Sequence, residues 1–468
     1  MVNMVDRAFA GGIMFFERCV PFMEIFTLAV SVLLLSSGAY LTVKTRFFQF
    51  SHLFTSFRCI LSGISRKRSC GSSGRCDGVS PVKALAAALG GSIGTANIAG
   101  VALALVTGGP GAIFWMWVSG FLGMAVKCVE IVLALKYRQK NANGEWVGGT
   151  MYCITNGLGR GAMPIARLFA LFCMLSTVFG GGMIQSNTIA SGALALFSSD
   201  KLFIAAAASV VSAAICGIII FKGTTGIMNF ASCTVPLMGI LYVLAGTIII
   251  FSNAGLILPS LESIIKEAFG LRSVIGGGVG FGVLRAMRVG FVKGTFSNEA
   301  GIGSAPMAHA AAATNDTLKQ GMLGIAEVFI DTILICTVTA LVILCSGIAI
   351  PYGGANVSGM LLAKNAFATV FGNTASGVFL SVSVFLFAIT SIVGWSLYGQ
   401  KCAEFLFGQR AIAPFRTVLV IAIALGGVIS VDYVWAFGEA CNLLMAVLSM
   451  PVTLLLSDRA IKLLNHYR

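Results

Sequence analysis

Two hydrophobic stretches of the chain carry nearly the same phrase, Asn97-Ile98-Ala99-Gly100 and Asn298-Glu299-Ala300-Gly301. Each follows small and hydroxylated residues, Gly90-Gly91-Ser92-Ile93-Gly94-Thr95 and Gly294-Thr295-Phe296-Ser297. The chemistry on offer is binding. Broken helices meet the charges of a small zwitterion with bare peptide groups: N–H groups at a half-helix start favour a carboxylate, and carbonyls at a facing half-helix end favour a cation. Gly94, Thr95, Ala96 and Asn97 form the candidate carboxylate cradle, with the Thr95 hydroxyl as an added donor. Thr295, Phe296, Ser297 and Asn298 offer carbonyls to an ammonium group, and the Phe296 ring closes the apolar side. The competing explanation is close helix packing by small residues. Matching interruptions in two halves favour a binding cavity, because freed backbone groups cannot face lipid.

Other polar residues stand inside apolar runs. Gln185 follows Gly180-Gly181-Gly182, which allow a ligand close to the backbone; an interhelical hydrogen bond is its alternative role. Thr390 and Ser391 pair two hydroxyls just before Gly394-Trp395. With carbonyls near Gly90 and Ile93 they supply the oxygen shell that a hard cation seeks; bonding back to their own helix is the alternative. Lys127 and Glu130 are spaced to pair along one helix, Glu327 and Asp331 stand four apart on another, and Arg285, Arg288 and Lys293 are candidate partners for these acids; a proton relay is the alternative role. Glu299, inside the second phrase, is the charged residue closest to the expected chemistry.

The elements that must hold these residues are membrane helices. The chain has 468 residues, of which 57% are hydrophobic and only 10% charged, and its mean hydropathy is +0.94. Soluble domains carry about 25% charged residues. Runs long enough to span fall at about 21–43, 82–106, 111–135, 165–197, 203–221, 228–251, 276–310, 322–345, 375–400, 412–430 and 433–457. The expected architecture is all-α and integral to the membrane, with eleven transmembrane helices. Basic residues cluster in alternate loops, beginning with Lys44, Arg46, Arg58, Arg66, Lys67, Arg68 and Arg75, which places the N-terminus outside and the C-terminus in the cytoplasm. The second and seventh helices then cross in opposite senses. An extra N-terminal helix plus a 5+5 inverted repeat with two discontinuous helices follows. The corresponding segments are 1–81 (first helix and basic cytoplasmic segment), 82–251 and 276–457. Residues 45–64, rich in Phe and Arg, read as an interfacial helix or as a loop packed on helix ends. The first apolar run is long enough to span, so no cleavable signal peptide is expected.

Several function classes lack support. The net charge of +14 sits in short loops between apolar runs, a topology signal rather than a nucleic-acid surface. The thirteen cysteines are scattered, and Cys70 and Cys76 lack partners for a zinc pattern. The three histidines, His52, His309 and His466, are far apart, and Gly276-Gly277-Gly278-Val279-Gly280-Phe281-Gly282 lacks the Lys-Ser/Thr of a phosphate loop. No enzyme, cofactor or obligatory protein partner is expected.

The block Lys293-Gly294-Thr295-Phe296-Ser297-Asn298-Glu299-Ala300-Gly301-Ile302-Gly303-Ser304-Ala305-Pro306 resembles the alanine/glycine:cation symporter family. So do the stretch from Gly94 to Gly100, Glu327-Val328-Phe329-Ile330-Asp331-Thr332, and Gly394-Trp395 with Tyr398-Gly399. The similarity runs from about Gln49 to the C-terminus. It implies a leucine-transporter-type fold in the cell (inner) membrane, carrying alanine or glycine with Na+ by alternating access. By position, it implies substrate contacts at Thr95, Gln185, Phe296, Ser297 and Trp395, and a Na+ site at Gly90, Ile93, Thr390 and Ser391. The chain departs from the family at Ala96, where Gly is usual; the extra methyl narrows the space beside the cradle. A proton-coupled carrier or exchanger is the alternative within transport, and a passive channel the alternative from another class.

Overall fold

A chain this apolar satisfies most of its backbone within each segment, and the regular elements of the computed structural model are helices apart from one two-stranded hairpin and an isolated bridge between Val79 and Ala312 among the described residues. The structure describes residues 25–65, 79–194, 200–270, 279–354, 358–429 and 431–465. Cys70, Cys76, His466, the basic residues from Arg66 to Arg75 and Gly276-Gly277-Gly278 therefore lie outside the described residues.

Nine described helices are long and apolar enough to cross a membrane. They are α1 (Ile25–Lys44), α5 (Gly111–Tyr137), α6 (Arg160–Leu194), α7 (Lys201–Phe221), α8 (Gly223–Ser252), α12 (Thr317–Cys345), α14 (Asn373–Phe407), α15 (Gln409–Gly426) and α16 (Val434–Leu464). Between them lie α2 (Leu53–Ser65), α3 (Pro81–Ser92), α4 (Ala99–Gly108), α9 (Ile257–Ala268), α10 (Val279–Asn298), the short α11 (Pro306–Ala310) and α13 (Gly359–Phe371). The hairpin pairs β1 (Gln139–Lys140) with β2 (Trp146–Val147). Residues 45–64 are largely helical, and α2 packs on α12, where Phe57 meets Phe329 edge to face.

Burial sorts the helices. From Met124 to Leu135, α5 is buried on every side, and it packs against α10 and α12. Helices α7 and α8 instead expose Val210, Val211, Ile218, Leu237, Ile240 and Leu244, the apolar face that a surrounding bilayer would cover.

Both sequence-marked interruptions exist, and they differ in form. The first separates α3 from α4: Ile93 and Gly94 are extended, Thr95–Asn97 form one 3-10 turn, and the helix resumes at Ala99. The second begins later than the sequence suggested. Thr295, Phe296, Ser297 and Asn298 remain the last turn of α10, and the unwound part starts at Glu299. Its turn runs through positive φ at Glu299 (54°), Gly301 (89°) and Gly303 (83°), conformations that glycine adopts without a Cβ penalty. The helix stops one residue past the asparagine, at Glu299, whose positive φ is unusual for a residue with a side chain, and Gly301 and Gly303 continue the left-handed turn.

Helix α14 lies directly on the first break. A Cβ at Gly394 would sit 2.5 Å from the Gly91 nitrogen, whereas a Cβ at Gly239 in α8 would meet nothing within 4 Å. Overpacking of this kind costs about 1–3 kcal/mol. Gly394→Ala is therefore expected to lower the melting temperature of the detergent-purified protein by several degrees, and Gly239→Ala to leave it unchanged or slightly raised.

Candidate functional site

The first break is held by its own asparagine. The Gly94 N–H donates to Asn97 Oδ1 at 2.9 Å, which closes the 3-10 turn and fixes the Asn97 amide. That leaves the Asn97 Nδ2 group pointing out of the turn. Thr95 Oγ1 donates to Gln185 Oε1 at 3.1 Å, and a Cβ at Gly94 would lie 3.3 Å from Ser391 Oγ and 3.6 Å from Gln185 Nε2. Gly94, Thr95, Gln185 and Ser391 thus surround one spot. Gln185 reaches it because α6 widens into a π-helical segment at Thr177–Ile184 and resumes α geometry at Gln185. Such segments recur where a helix re-aims side chains toward a site. Ala96 is half-buried, and its methyl faces Gly100.

The second break meets the first through Asn97. Its Nδ2 lies 3.0 Å from Ser297 Oγ, 2.7 Å from Asp331 Oδ1 and 3.3 Å from the Asp331 carbonyl. Ser297 Oγ donates to Asp331 Oδ2 at 2.6 Å, and Thr332 Oγ1 donates to the same oxygen at 2.8 Å. Asn97, Ser297, Asp331 and Thr332 are all buried. Asp331 is therefore a site residue that the charge spacing did not identify; the sequence suggested a salt bridge to an arginine or lysine. It reaches the junction because α12 is π-helical from Phe329 to Ile335. A single acid next to a threonine in mid-helix was the one signal available.

The remaining expected residues take varied places. Thr295 Oγ1 lies 3.3 Å from Ser119 Oγ on α5. Thr295 and Phe296 line a small cavity with Thr27 and Ser31 of α1 and Asn442 and Ala446 of α16. Asn298 caps the break: its Oδ1 accepts from the Ala300 N–H at 2.9 Å, while its buried Nδ2 has no hydrogen-bond partner among the described residues. Trp395 packs over Gly181, stands edge to face with Tyr398 and accepts from Thr177 Oγ1 through its carbonyl at 3.3 Å. Of the expected Na+ ligands, Ser391 Oγ reaches across to the Gly91 carbonyl at 3.2 Å, and a Cβ at Gly90 would be 3.4 Å from the Thr390 carbonyl. Ile93 is buried at the end of the same turn. Thr390 Oγ1 bonds back to the Leu386 and Phe387 carbonyls, both at 3.0 Å. The structure thus gathers Gly90, Ile93, Gly94, Thr390 and Ser391 along one helix contact, with Gln185 reaching Gly94. It also joins Asn97 to Ser297. No cluster of three His, Cys, Asp or Glu side chains suited to a transition metal occurs among the described residues.

Beside the second break runs a buried polar network. Lys127 pairs with Glu327 at 3.1 Å rather than with its helix neighbour Glu130, and Glu327 also meets His309 at 2.8 Å. Glu130 is engaged elsewhere: it accepts from the Gly301 N–H at 3.3 Å and from Ser449 Oγ at 3.2 Å. Glu299 accepts from Ser304 Oγ at 2.6 Å. These carboxylates take up backbone and hydroxyl donors that the left-handed turn would leave orphaned. Farther along, Arg138 donates to the Ala310 and Ala312 carbonyls at 3.1 and 2.7 Å, closing the open end of α11.

The sequence that forms these two interrupted helices and their junction is similar to that of known proteins along most of the chain. The sequence model of the sodium:alanine symporter family covers residues 16–468. An uncharacterized transporter of Haemophilus influenzae is 37% identical over 416 residues, 89% of this chain and 88% of that protein. The sodium/alanine symporter AgcS of Methanococcus maripaludis is 36% identical, over 91% of each chain. A Bacillus subtilis protein named "Probable sodium/glutamine symporter GlnT" is 33% identical, over 93% of this chain and 87% of its own. With its interrupted helices in place and its match extending over nearly the whole length, the chain belongs to the sodium:alanine symporter family.

Proposed function

We propose that the protein carries a small neutral amino acid, alanine or glycine, into the cell together with Na+ by alternating access. The observation that carries this reading is the contact between the interrupted helices: Asn97 of the first break and Ser297 in the last turn of α10, just before the second, share Asp331, so a ligand cupped between them is coupled to both. The reading includes eleven crossings, α3–α4 and α10–α11 each serving as one discontinuous crossing, and an inverted 5+5 repeat after α1. It places the N-terminus outside and the C-terminus in the cytoplasm.

In this mechanism Na+ binds between the first break and α14, using carbonyls near Gly90 and Ile93 and the hydroxyls of Thr390 and Ser391. Thr390 must turn its hydroxyl from its own helix toward the ion, a rotation about one side-chain bond. The ion fixes α3 against α14 and shapes the adjoining cradle. The amino acid then places its carboxylate at Gly94, Thr95, Ala96 and Asn97 and its ammonium toward the last carbonyls of α10 at Thr295, Phe296, Ser297 and Asn298. Gln185 orients the cradle through Thr95. Phe296 and Trp395 close the apolar sides, and the Ala96 methyl restricts the side chain accepted. The zwitterion is neutral, so the membrane potential acts on Na+, worth about 2.3 kcal/mol per 100 mV. That alone is about a fifty-fold concentration drive. A proton-coupled carrier is the second reading, favoured by the buried Glu130 and Glu299, whose hydrogen-bond donors among the described residues are neutral.

Uptake of labelled alanine into proteoliposomes is expected to exceed equilibrium with an inward Na+ gradient and to stay at equilibrium without one; equal uptake in both would remove the coupling. Loss of one hydrogen bond costs about 0.5–1.5 kcal/mol. Gln185→Ala is therefore expected to raise the alanine concentration for half-maximal uptake about 2–10-fold with little change in the Na+ requirement. Thr390→Ala is expected to do the reverse, as read by uptake across an alanine series and a Na+ series. Wild-type values in both variants would contradict these placements.

A further inference from the structure

Behind the first break, two hydroxyls from other helices form a chain that ends on its backbone. Thr339 Oγ1 on α12 donates to the Asn97 carbonyl at 2.8 Å, and the Tyr242 hydroxyl on α8 lies 2.8 Å from Thr339 Oγ1. A hydroxyl has one proton to give. With the Thr339 proton on Asn97, Thr339 accepts from Tyr242, and the chain runs from Tyr242 through Thr339 to the carbonyl. Thr339 also has the Ile335 carbonyl of its own helix at 3.1 Å, the usual acceptor of a mid-helix threonine. The shorter contact crosses to the break.

The ring of Tyr242 is held by Phe367 of α13 and Phe387 of α14, with centroids 5.9 and 5.5 Å away. All three rings and Thr339 are fully buried. Tyr242 alone of the three carries a hydroxyl, in a place that phenylalanine would fill without a polar atom to satisfy. That hydroxyl acts on the geometry of the turn. The Asn97 carbonyl and the Ile98 N–H belong to one rigid planar unit and point in opposite directions. The Ile98 N–H donates to the Thr95 carbonyl at 3.2 Å, and the Thr95 hydroxyl reaches Gln185. Holding the carbonyl from behind therefore holds the N–H that closes the turn in front.

We propose that Tyr242 is a positioning residue for the amino-acid cradle: acting through Thr339, its hydroxyl keeps the Asn97–Ile98 peptide in the orientation that presents Gly94, Thr95, Ala96 and Asn97 to the ligand carboxylate. The role rests on the amino-acid carrier reading above. Phe367 and Phe387 aim the hydroxyl, and Thr339 passes its effect to the break.

The test is equilibrium binding of labelled alanine to the purified full-length protein at saturating NaCl, with the melting temperature measured in parallel. Tyr242→Phe keeps the ring contacts and removes one hydrogen bond, worth about 0.5–1.5 kcal/mol, so the alanine Kd is expected to rise about 2–10-fold. Thr339→Val is expected to do the same. Because Tyr242 acts only through Thr339, the double variant is expected to bind alanine no more weakly than Thr339→Val alone. Thr339→Ser, which restores the hydroxyl, is expected to bind as wild type does. Should Thr339→Val not fold, Tyr242→Phe and Thr339→Ser decide the matter by themselves. A wild-type alanine Kd in Tyr242→Phe, even with a lowered melting temperature, would make Tyr242 a packing residue and overturn the proposal. Additive losses in the double variant would overturn it too. A wild-type protein that binds no alanine would overturn both this role and the carrier reading beneath it.

Discussion

A membrane helix that unwinds has peptide groups to satisfy and no water with which to satisfy them, and this constraint organises the protein. At the first break, the Asn97 carbonyl oxygen side takes the Gly94 amide, and its Nδ2 side reaches Asp331 and Ser297. Its own backbone carbonyl accepts from Thr339 Oγ1 at 2.8 Å, and Tyr242 stands behind Thr339 at the same distance. One side chain therefore closes its own turn and fastens that turn to the opposite interrupted helix. The second break is fastened differently, through Glu130 on α5 to the Gly301 amide and through Glu299 to Ser304. The two breaks can each exist only because buried polar groups from other helices complete them.

That arrangement also explains where charge is spent in a chain with so little of it. Lys127, Glu130, Glu299, Glu327 and His309 are all buried beside the second break. Removing one partner from a buried pair costs about 3–5 kcal/mol, because the other is left uncompensated. A network of this kind holds its geometry tightly in one arrangement and changes only as a unit. The small residues do the complementary work. Gly394 on Gly91 and Gly294 on Ser119 let neighbouring helices approach the breaks at backbone distance, which larger side chains would prevent.

Much of this was legible in the sequence, because composition is local. Gly94, Thr95, Asn97, Ser297 and Asn298 are poor residues for a lipid-facing span, and their presence marked the interruptions. The hydroxyl pair Thr390 and Ser391 likewise stood out in mid-helix, although its contact with Gly90 and Gly91 is seen only in the structure. What could not be read was which distant side chains meet. Asn97 and Asp331 are 234 residues apart, and nothing at either position encodes the other. Lys127 looked like a partner for Glu130 because helix spacing is legible and interhelical distance is not. The second break was placed slightly early for a related reason: polar composition begins at Thr295, but the backbone turns only from Glu299, where positive φ begins and Gly301 and Gly303 carry it on.

The central claim is that the two interrupted helices jointly cup one small molecule, with Asn97 and Ser297 as their meeting point. A structure of the protein solved with alanine and Na+ bound tests it most directly. Alanine density is expected between the Gly94–Asn97 turn and the last turn of α10, with its carboxylate at the first and its ammonium at the second. Density for alanine elsewhere in the bundle, with the Asn97–Ser297 junction untouched by ligand or ion, would contradict it.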